Sequence, residues 1–206
     1  MITIYGHSHS RSLRVTWMME ELQRDYNYVS IDLMKGEGRT PEYRAINPGG
    51  KVPALRDDEL LLTESAAIIT YLGDKFGNRD LVPAAGTALR GKYDQWCYFA
   101  MCELEQPLWT IGKHKFAIPE EYRVKAIFPT AQWEFQQALA VLSQGLGEQD
   151  YILGDTFSAA DIMLAHTLFW ALAFDQAVQQ TNLQSYIERI KTRPALLRAE
   201  ERESAG

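Results

Sequence analysis

Cysteine is scarce in this sequence: there are two, Cys97 and Cys102, and none before them. A dithiol oxidoreductase needs a Cys-x-x-Cys pair near its first helix, so that chemistry is excluded. The two cysteines stand five apart in a segment that reads as helix, which turns them to different faces and argues against a disulfide. Such usage fits a reducing compartment, and the expected location is cytoplasmic. No apolar run approaches the ~20 residues of a membrane span. Met1 to Tyr5 reads as a strand and not as the basic start of a signal peptide. Positive charge is not in excess, with Lys+Arg 21 against Asp+Glu 27 and a net charge of -6, so a nucleic acid is not an expected partner. Repeats, low-complexity tracts and a Gly-x-Ser-x-Gly nucleophile elbow are also missing. His7 and His9 stand two apart, but no cysteine or carboxylate cluster joins them, so no metal is expected.

What is present is a chain of 206 residues, 46% hydrophobic, long enough to bury a core in one large or two small domains. Ile2 to Tyr5 reads as a strand, and Arg11 to Arg24 as a helix with Val15, Met18, Met19 and Leu22 on one face. Val29 to Leu33 alternates with period two, as a half-buried strand does. Lys35 to Pro48 is turn-rich; Val52 to Arg56 and Leu60 to Thr63 read as strands around the turn Asp57-Asp58-Glu59. Glu64 to Phe76 is helical again. The order is βαβ followed by ββα. A linker at 78–86 separates this first domain, 1–77, from a second at 87–206 that shows only helices, near 87–115, 119–147, 158–178 and 183–193. In that second part Ser158-Ala159-Ala160-Asp161 is a capping box, with Phe157 and Ile162 placed as a hydrophobic staple. Glu200 to Ser204 is expected to fray.

Three short segments could carry chemistry. His7 to Ser12 follows the first strand, where sites of open α/β sheets gather, and offers three hydroxyls, two imidazoles and a guanidinium at a helix entrance. Asn47 to Leu55 holds Lys51, Val52 and Pro53; Pro53 belongs at a strand start or edge because it donates no ladder hydrogen bond. Thr63-Glu64-Ser65 stands where a strand becomes a helix. Free N–H groups, the Ser65 hydroxyl and the Glu64 carboxylate would suit the α-amino-acid end of a ligand, although Thr63 capping its own helix is the commoner arrangement.

In order and spacing, these segments resemble the cytosolic glutathione transferase family over nearly the whole chain. Asn47-Pro48-x-x-Lys51-Val52-Pro53-Ala54-Leu55 and Thr63-Glu64-Ser65-x-Ala67-Ile68 resemble its glutathione-binding half. Gly154-Asp155-x-Phe157-Ser158-x-Ala160-Asp161-Ile162 resembles its second-domain capping-box helix, and Ser10 to Val15 is similar to the serine entrance of the theta, zeta and related bacterial classes. The resemblance implies an α+β two-domain fold: a thioredoxin-like domain with a mixed sheet, then an all-helical bundle domain. It implies a cis Pro53, Val52 backbone pairing with the cysteinyl part of glutathione, Glu64 and Ser65 at the γ-glutamyl end, and Lys51 and Arg39 at the glycine carboxylate. Ser10 would donate to the sulfur, with Ser12, Ser8 and Arg11 as other contributors. Trp96, Phe99, Met101, Glu103 and Trp109, on the first long helix of the second domain, are the second-substrate candidates, though aromatics on a long helix are commonly core. The expected activity is conjugation of glutathione, as co-substrate and without a metal, to hydrophobic electrophiles. Glutathione-dependent reduction of peroxides or disulfides and a non-catalytic ligand- or partner-binding role are the alternatives; the polar set at Lys51, Glu64, Ser65 and Ser10 favours the enzyme. A homodimer is implied, and the His9-Ser10-Arg11 run disfavours a cysteine-dependent isomerase.

Overall fold

The computed structural model describes residues 1–205 and divides by contacts into two units. The first holds Met1–Ala84 together with the chain from Lys191 onward. Its sheet has the order β2-β1-β3-β4, built from β1 (Ile2–Gly6), β2 (Asn27–Ser30), β3 (Ala54–Asp57) and β4 (Leu60–Thr63). β1 and β2 are parallel, joined across α1 (Leu13–Leu22); β1–β3 and β3–β4 are antiparallel, and α3 (Ser65–Phe76) follows. This is the expected mixed sheet. Ile4, Leu55, Val15, Met18, Ile68 and Leu72 meet in its core with no exposed surface.

Local chemistry accounts for the shifted boundaries. β2 ends at Ser30 and not Leu33, because Asp32 accepts from the Met34 and Lys35 amides, both at 3.0 Å, and turns the chain out of the ladder. β3 begins at Ala54, just past Pro53. The stretch read as turn-rich contains a short helix not expected from sequence, α2 (Pro41–Arg44): the Thr40 hydroxyl caps the Tyr43 amide at 3.2 Å and Pro41 fills the first helical position.

The largest departure is at the end of the chain. Glu200 to Ser204 is not frayed but lies within a helix, α9 (Pro194–Ser204), that packs on α1 and β2. Arg193 forks onto Glu21 (2.8 and 2.9 Å), Arg198 binds Glu20 (2.8 Å), and Leu196, Ala199 and Glu203 are buried. By contacts, residues from Lys191 onward group with the first unit.

The second unit, Ala85–Ile190, is helical. It comprises α4 (Ala88–Phe99), α5 (Glu105–Gly112), α6 (Phe128–Leu146), α7 (Ala159–Ala173) and α8 (Thr181–Lys191), with one wide i→i+5 turn at Ala100–Leu104 and another at Lys113–Ala117. α6 starts nine residues later than the expected 119, and α7 stops at Ala173, short of 178, before the left-handed Asp175. The capping box is present as expected. The Asp161 carboxylate accepts from the Ser158 amide and hydroxyl (2.8 Å each), the Ile152 amide (2.9 Å) and the Tyr186 hydroxyl (2.8 Å), while Phe157 and Ile162 are both buried. Burial pushes the Asp161 carboxyl up and these donors pull it back. Asp161→Ala would strand several buried donors at once, so we expect a loss of at least about 3 kcal/mol in urea unfolding, with β-sheet and helix content recovered on refolding at low urea.

Candidate active site

Sheet register gathers the three segments singled out in the sequence. Tyr5 stands opposite Ala54, and Ala54 opposite Thr63. The carboxyl end of β1, the amino end of β3 and the carboxyl end of β4 therefore share one end of the sheet, and from it leave the loop His7–Ser12, Val52-Pro53 and Glu64-Ser65. The Val52–Pro53 peptide is cis, as the resemblance implies.

The loop is tied by Ser12, which has no exposed surface. Its hydroxyl donates to the His7 carbonyl (2.9 Å) and accepts from the His7 amide (3.1 Å). The Ser10 and Ser12 hydroxyls are 3.0 Å apart, and the Ser12 amide donates to Ser10 at 3.2 Å. Gly6 permits this closeness: a Cβ there would come within 2.7 Å of the Tyr28 hydroxyl and 2.8 Å of the Ser12 Cβ. Ser8, Ser10 and Arg11 are half-buried, and His9 is exposed at φ 59, a left-handed turn. Of the two nearer hydroxyls, Ser12 is locked under the loop and Ser10 is the one with surface to offer.

At the start of α3, Glu64 is the N-cap, exposed, at φ 66, and its side chain makes no capping bond. Thr63 is the last residue of β4 and not a cap, so the commoner arrangement weighed from sequence is not the one adopted. A non-glycine residue held at positive φ beside a helix N-terminus with no side-chain cap is strain at a place that can receive a carboxylate. Ser65, 3% exposed, accepts from the Arg14 guanidinium at 3.1 Å. Arg14 is itself fully buried. Sequence reading did not single it out, and a lone arginine in the hydrophobic run of α1 was the signal to pursue, since a buried guanidinium demands partners.

Lys51 and Arg39 are both exposed and lie on neighbouring segments. Gly38 and Gly50 bring them together: a Cβ on either would meet the carbonyl oxygen of the other at 2.5 Å. The Lys51 carbonyl accepts from the Tyr43 hydroxyl (2.7 Å) and the Asn47 amide nitrogen (2.6 Å), which fixes the backbone leading into Val52. Burial pushes the Tyr43 hydroxyl up to about 12, so it stays a donor at neutral pH.

In the second unit the five aromatic-helix candidates fall into separate places. Trp96 stacks edge-on with Phe99 (5.2 Å) and, with Lys92, Gln95, Gly145 and Gln149, lines a groove of about 260 Å³. Trp109 meets Trp170 (6.5 Å), which meets Phe174 (5.5 Å), which meets Phe116 (6.1 Å). This half-exposed chain draws on α5, α7 and the turn after α5, and its last three members were missed because they lie far apart in sequence. Met101 is half-buried and Glu103 exposed, on the wide turn between α4 and α5. Cys97 is buried, which pushes its thiol up to about 12, and Cys102 is exposed; both are free. Among the described residues no group of His, Cys, Asp and Glu is arranged to hold a metal, and no helix is long and apolar enough to cross a membrane. Ser12→Ala should cost about 1–3 kcal/mol, because the His7 amide loses its buried acceptor. Chemical denaturation measures the loss, and faster exchange of the His7 amide would place it in the loop.

Residues 1–74 match the profile described as "Glutathione S-transferase, N-terminal domain", and 126–198 that described as "Glutathione S-transferase, C-terminal domain". Glutathione S-transferase GstA of Escherichia coli O157:H7 is 31% identical over 179 residues, 85% of this chain and 86% of that protein. The Disulfide-bond oxidoreductase YfcG of Escherichia coli K12 is 28% identical over 95% of this chain and 92% of its own. The glutathione transferase URE2P6 of Phanerochaete chrysosporium, solved in complex with oxidized glutathione, superimposes with a TM-score of 0.88 at 26% identity, over 99% of this chain and 96% of that one. The sheet register, the cis Val52–Pro53 peptide and these matches agree, and the chain belongs to the glutathione S-transferase family.

Proposed function

We propose that this protein binds glutathione as its thiolate and adds it to hydrophobic electrophiles. The observation that carries the reading is the shared sheet end, from which the half-buried Ser10, the cis Val52–Pro53 peptide and the α3 N-terminus with no side-chain cap all depart. The α3 N-terminus and Ser65 receive the γ-glutamyl carboxylate, with the buried Arg14 behind them adding positive potential, and Glu64 accepts from the α-ammonium. The Val52 backbone pairs with the cysteinyl residue. Lys51 and Arg39 face the glycine carboxylate. With both ends held, the sulfur is delivered to the loop carrying Ser10.

The chemical demand there is modest. Lowering a thiol from about 8.5 by two units needs roughly 2.7 kcal/mol of preference for the anion. A hydroxyl bond to a charged acceptor gives ~1.5–3 kcal/mol, and the N-terminus of α1 adds ~0.3–1 kcal/mol. The thiol proton passes to water. The sulfur lone pair forms the new C–S bond, and a leaving group such as chloride departs with its bonding electrons. Proximity supplies much of the remaining acceleration. The aromatic chain Trp109–Trp170–Phe174–Phe116 is the surface of the helical unit best suited to an apolar electrophile.

Reduction of a disulfide with glutathione is the second reading, favoured by the similarity to a relative named as a disulfide-bond oxidoreductase. It uses the same thiolate and differs in the atom attacked. A homodimer fits the edge strand β4, whose Leu60 and Leu61 are exposed. Titrating the thiolate absorbance of bound glutathione tests the central claim: wild type should bring the thiol well below its free value, and Ser10→Ala should return it by about one to two units. A shift surviving Ser10→Ala would remove Ser10 from the sulfur, and failure of the protein to bind glutathione would remove the reading itself. Turnover of 1-chloro-2,4-dinitrobenzene against that of 2-hydroxyethyl disulfide separates conjugation from reduction; conjugation should dominate.

A further inference from the structure

The segment between α5 and α6 carries more positive than negative charge. Lys113, Lys115, Arg123 and Lys125 stand there against Glu120 and Glu121, in a chain whose net charge is -6. Among the described residues none of these four cations is paired with a carboxylate. The Arg123 guanidinium donates instead to two backbone carbonyls, Ile118 at 2.8 Å and Phe116 at 3.1 Å. The His114 Nδ1 accepts from the Val124 amide at 3.1 Å, and the Ile118 amide donates to the Lys113 carbonyl at 3.2 Å. These bonds tie the wide turn Lys113–Ala117 to the residues after it, so Lys115 and Phe116 are held in place.

That turn lies against the aromatic chain. Phe116 meets Phe174 edge-on, and the Lys115 ammonium stands 5.9 Å from the centre of the Phe174 ring. The rings converge on the Gly112 backbone: a Cβ there would lie 3.5 Å from Phe174, 3.6 Å from Phe116 and 3.7 Å from Trp109. Phe116 is 58% exposed, and Trp109, Trp170 and Phe174 are half-exposed. Aromatic surface gathered at one exposed place, and not scattered singly, marks a binding surface.

Two physical effects choose the ligand. Indole faces are electron-rich and take an electron-poor ring in offset or edge-on contact. The Lys115 ammonium has only a ring quadrupole for a partner, and an anionic group would give it a full charge to meet. We propose that this surface selects electron-poor aromatic rings bearing a carboxylate or sulfonate, the ring lying on the Trp109–Trp170–Phe174 chain and the anion pairing with Lys115, the specificity-determining residue. The consequence for turnover rests on reading this surface as the second-substrate site; the binding of aromatic anions does not.

The first arm of the test uses the protein without glutathione and two unreactive probes, 3,5-dinitrobenzoate and its neutral methyl ester. Binding is followed on the indole N–H resonances that Trp109→Phe and Trp170→Phe assign. The benzoate should bind about threefold to fivefold tighter than the ester, with the gap closing as salt is raised. Lys115→Gln should remove most of the gap by weakening the benzoate alone, and Lys115→Glu should reverse it. Lys115 is exposed, so neither substitution removes a packed side chain.

The second arm compares kcat/KM for 4-chloro-3,5-dinitrobenzoate and its methyl ester, each relative to its uncatalysed rate with glutathione. In both, the thiolate sulfur forms a C–S bond at the carbon bearing chlorine, chloride leaves with its bonding electrons, and the carboxylate or ester is unchanged. Lys115→Gln should lower the carboxylate-to-ester ratio about threefold, through KM with kcat kept. Equal affinity for the two probes in wild type, a gap that survives both Lys115 variants, or resonance shifts confined to the other tryptophans overturns the proposal. A turnover ratio that Lys115→Gln leaves unmoved removes Lys115 as the specificity residue. Binding as expected in a protein that conjugates neither substrate sinks the transferase reading alone, and the aromatic-anion site stands.

Discussion

In the four-stranded sheet, Tyr5 is paired with Ala54 and Ala54 with Thr63, and both pairings are antiparallel. A slip of one residue at either ladder would exchange the buried face for the exposed one, placing Ile4 and Leu55 in water. The hydrophobic cost of such a slip is what fixes the register, and the register in turn fixes the site. Gly6, Pro53 and Glu64 are each one residue beyond those paired positions, so the three chain reversals that follow them start from a common line. No side chain of the site needs to search for its neighbours once the core has set. The Gly38–Gly50 approach and the Tyr43 and Asn47 bonds to the Lys51 carbonyl then carry the same precision out to the surface cations.

What could be read from sequence was what short-range chemistry decides. The Ser158–Asp161 box and its staple were legible because every partner but Ile152 and Tyr186 lies within a few residues. The β4 boundaries and the α3 C-terminus at Gly77 were legible for the same reason. The α9 segment was not. Its composition is that of a fraying terminus, rich in Glu and Arg, yet Arg193 and Arg198 find Glu21 and Glu20 more than 170 positions away. Tertiary partners, invisible to a local window, convert a charged tail into a packed helix. The different places of Ser8, Ser10 and Ser12 had a similar origin: only the depth of Ser12 beneath the loop, where Tyr28 and Gly6 crowd it, sets it apart from the half-buried Ser8 and Ser10. The aromatic candidates divided because Trp96 and Trp109 sit on opposite sides of a wide turn, where the helical period used to group them is broken.

The polar groups on and against α1 bear on why this helix is built as it is. Ser12, Arg14, Thr16 and Glu203 are all buried, each facing the interior where an apolar residue would pack. Replacing buried ionic and polar networks with well-packed hydrophobic residues is often neutral or stabilising, so stability is a poor explanation for keeping four of them. Their bonds are directional, and directions are what the site requires. Arg14 aims the Ser65 hydroxyl, Ser12 holds both polar groups of His7, and Thr16 spans α1 and α9. An aliphatic core would hold α1 against the sheet just as firmly, but it would let the loop above settle in several conformations of similar energy. A buried polar network tolerates only the arrangement in which all its members are satisfied. That intolerance holds the loop His7–Ser12 above the network in one arrangement.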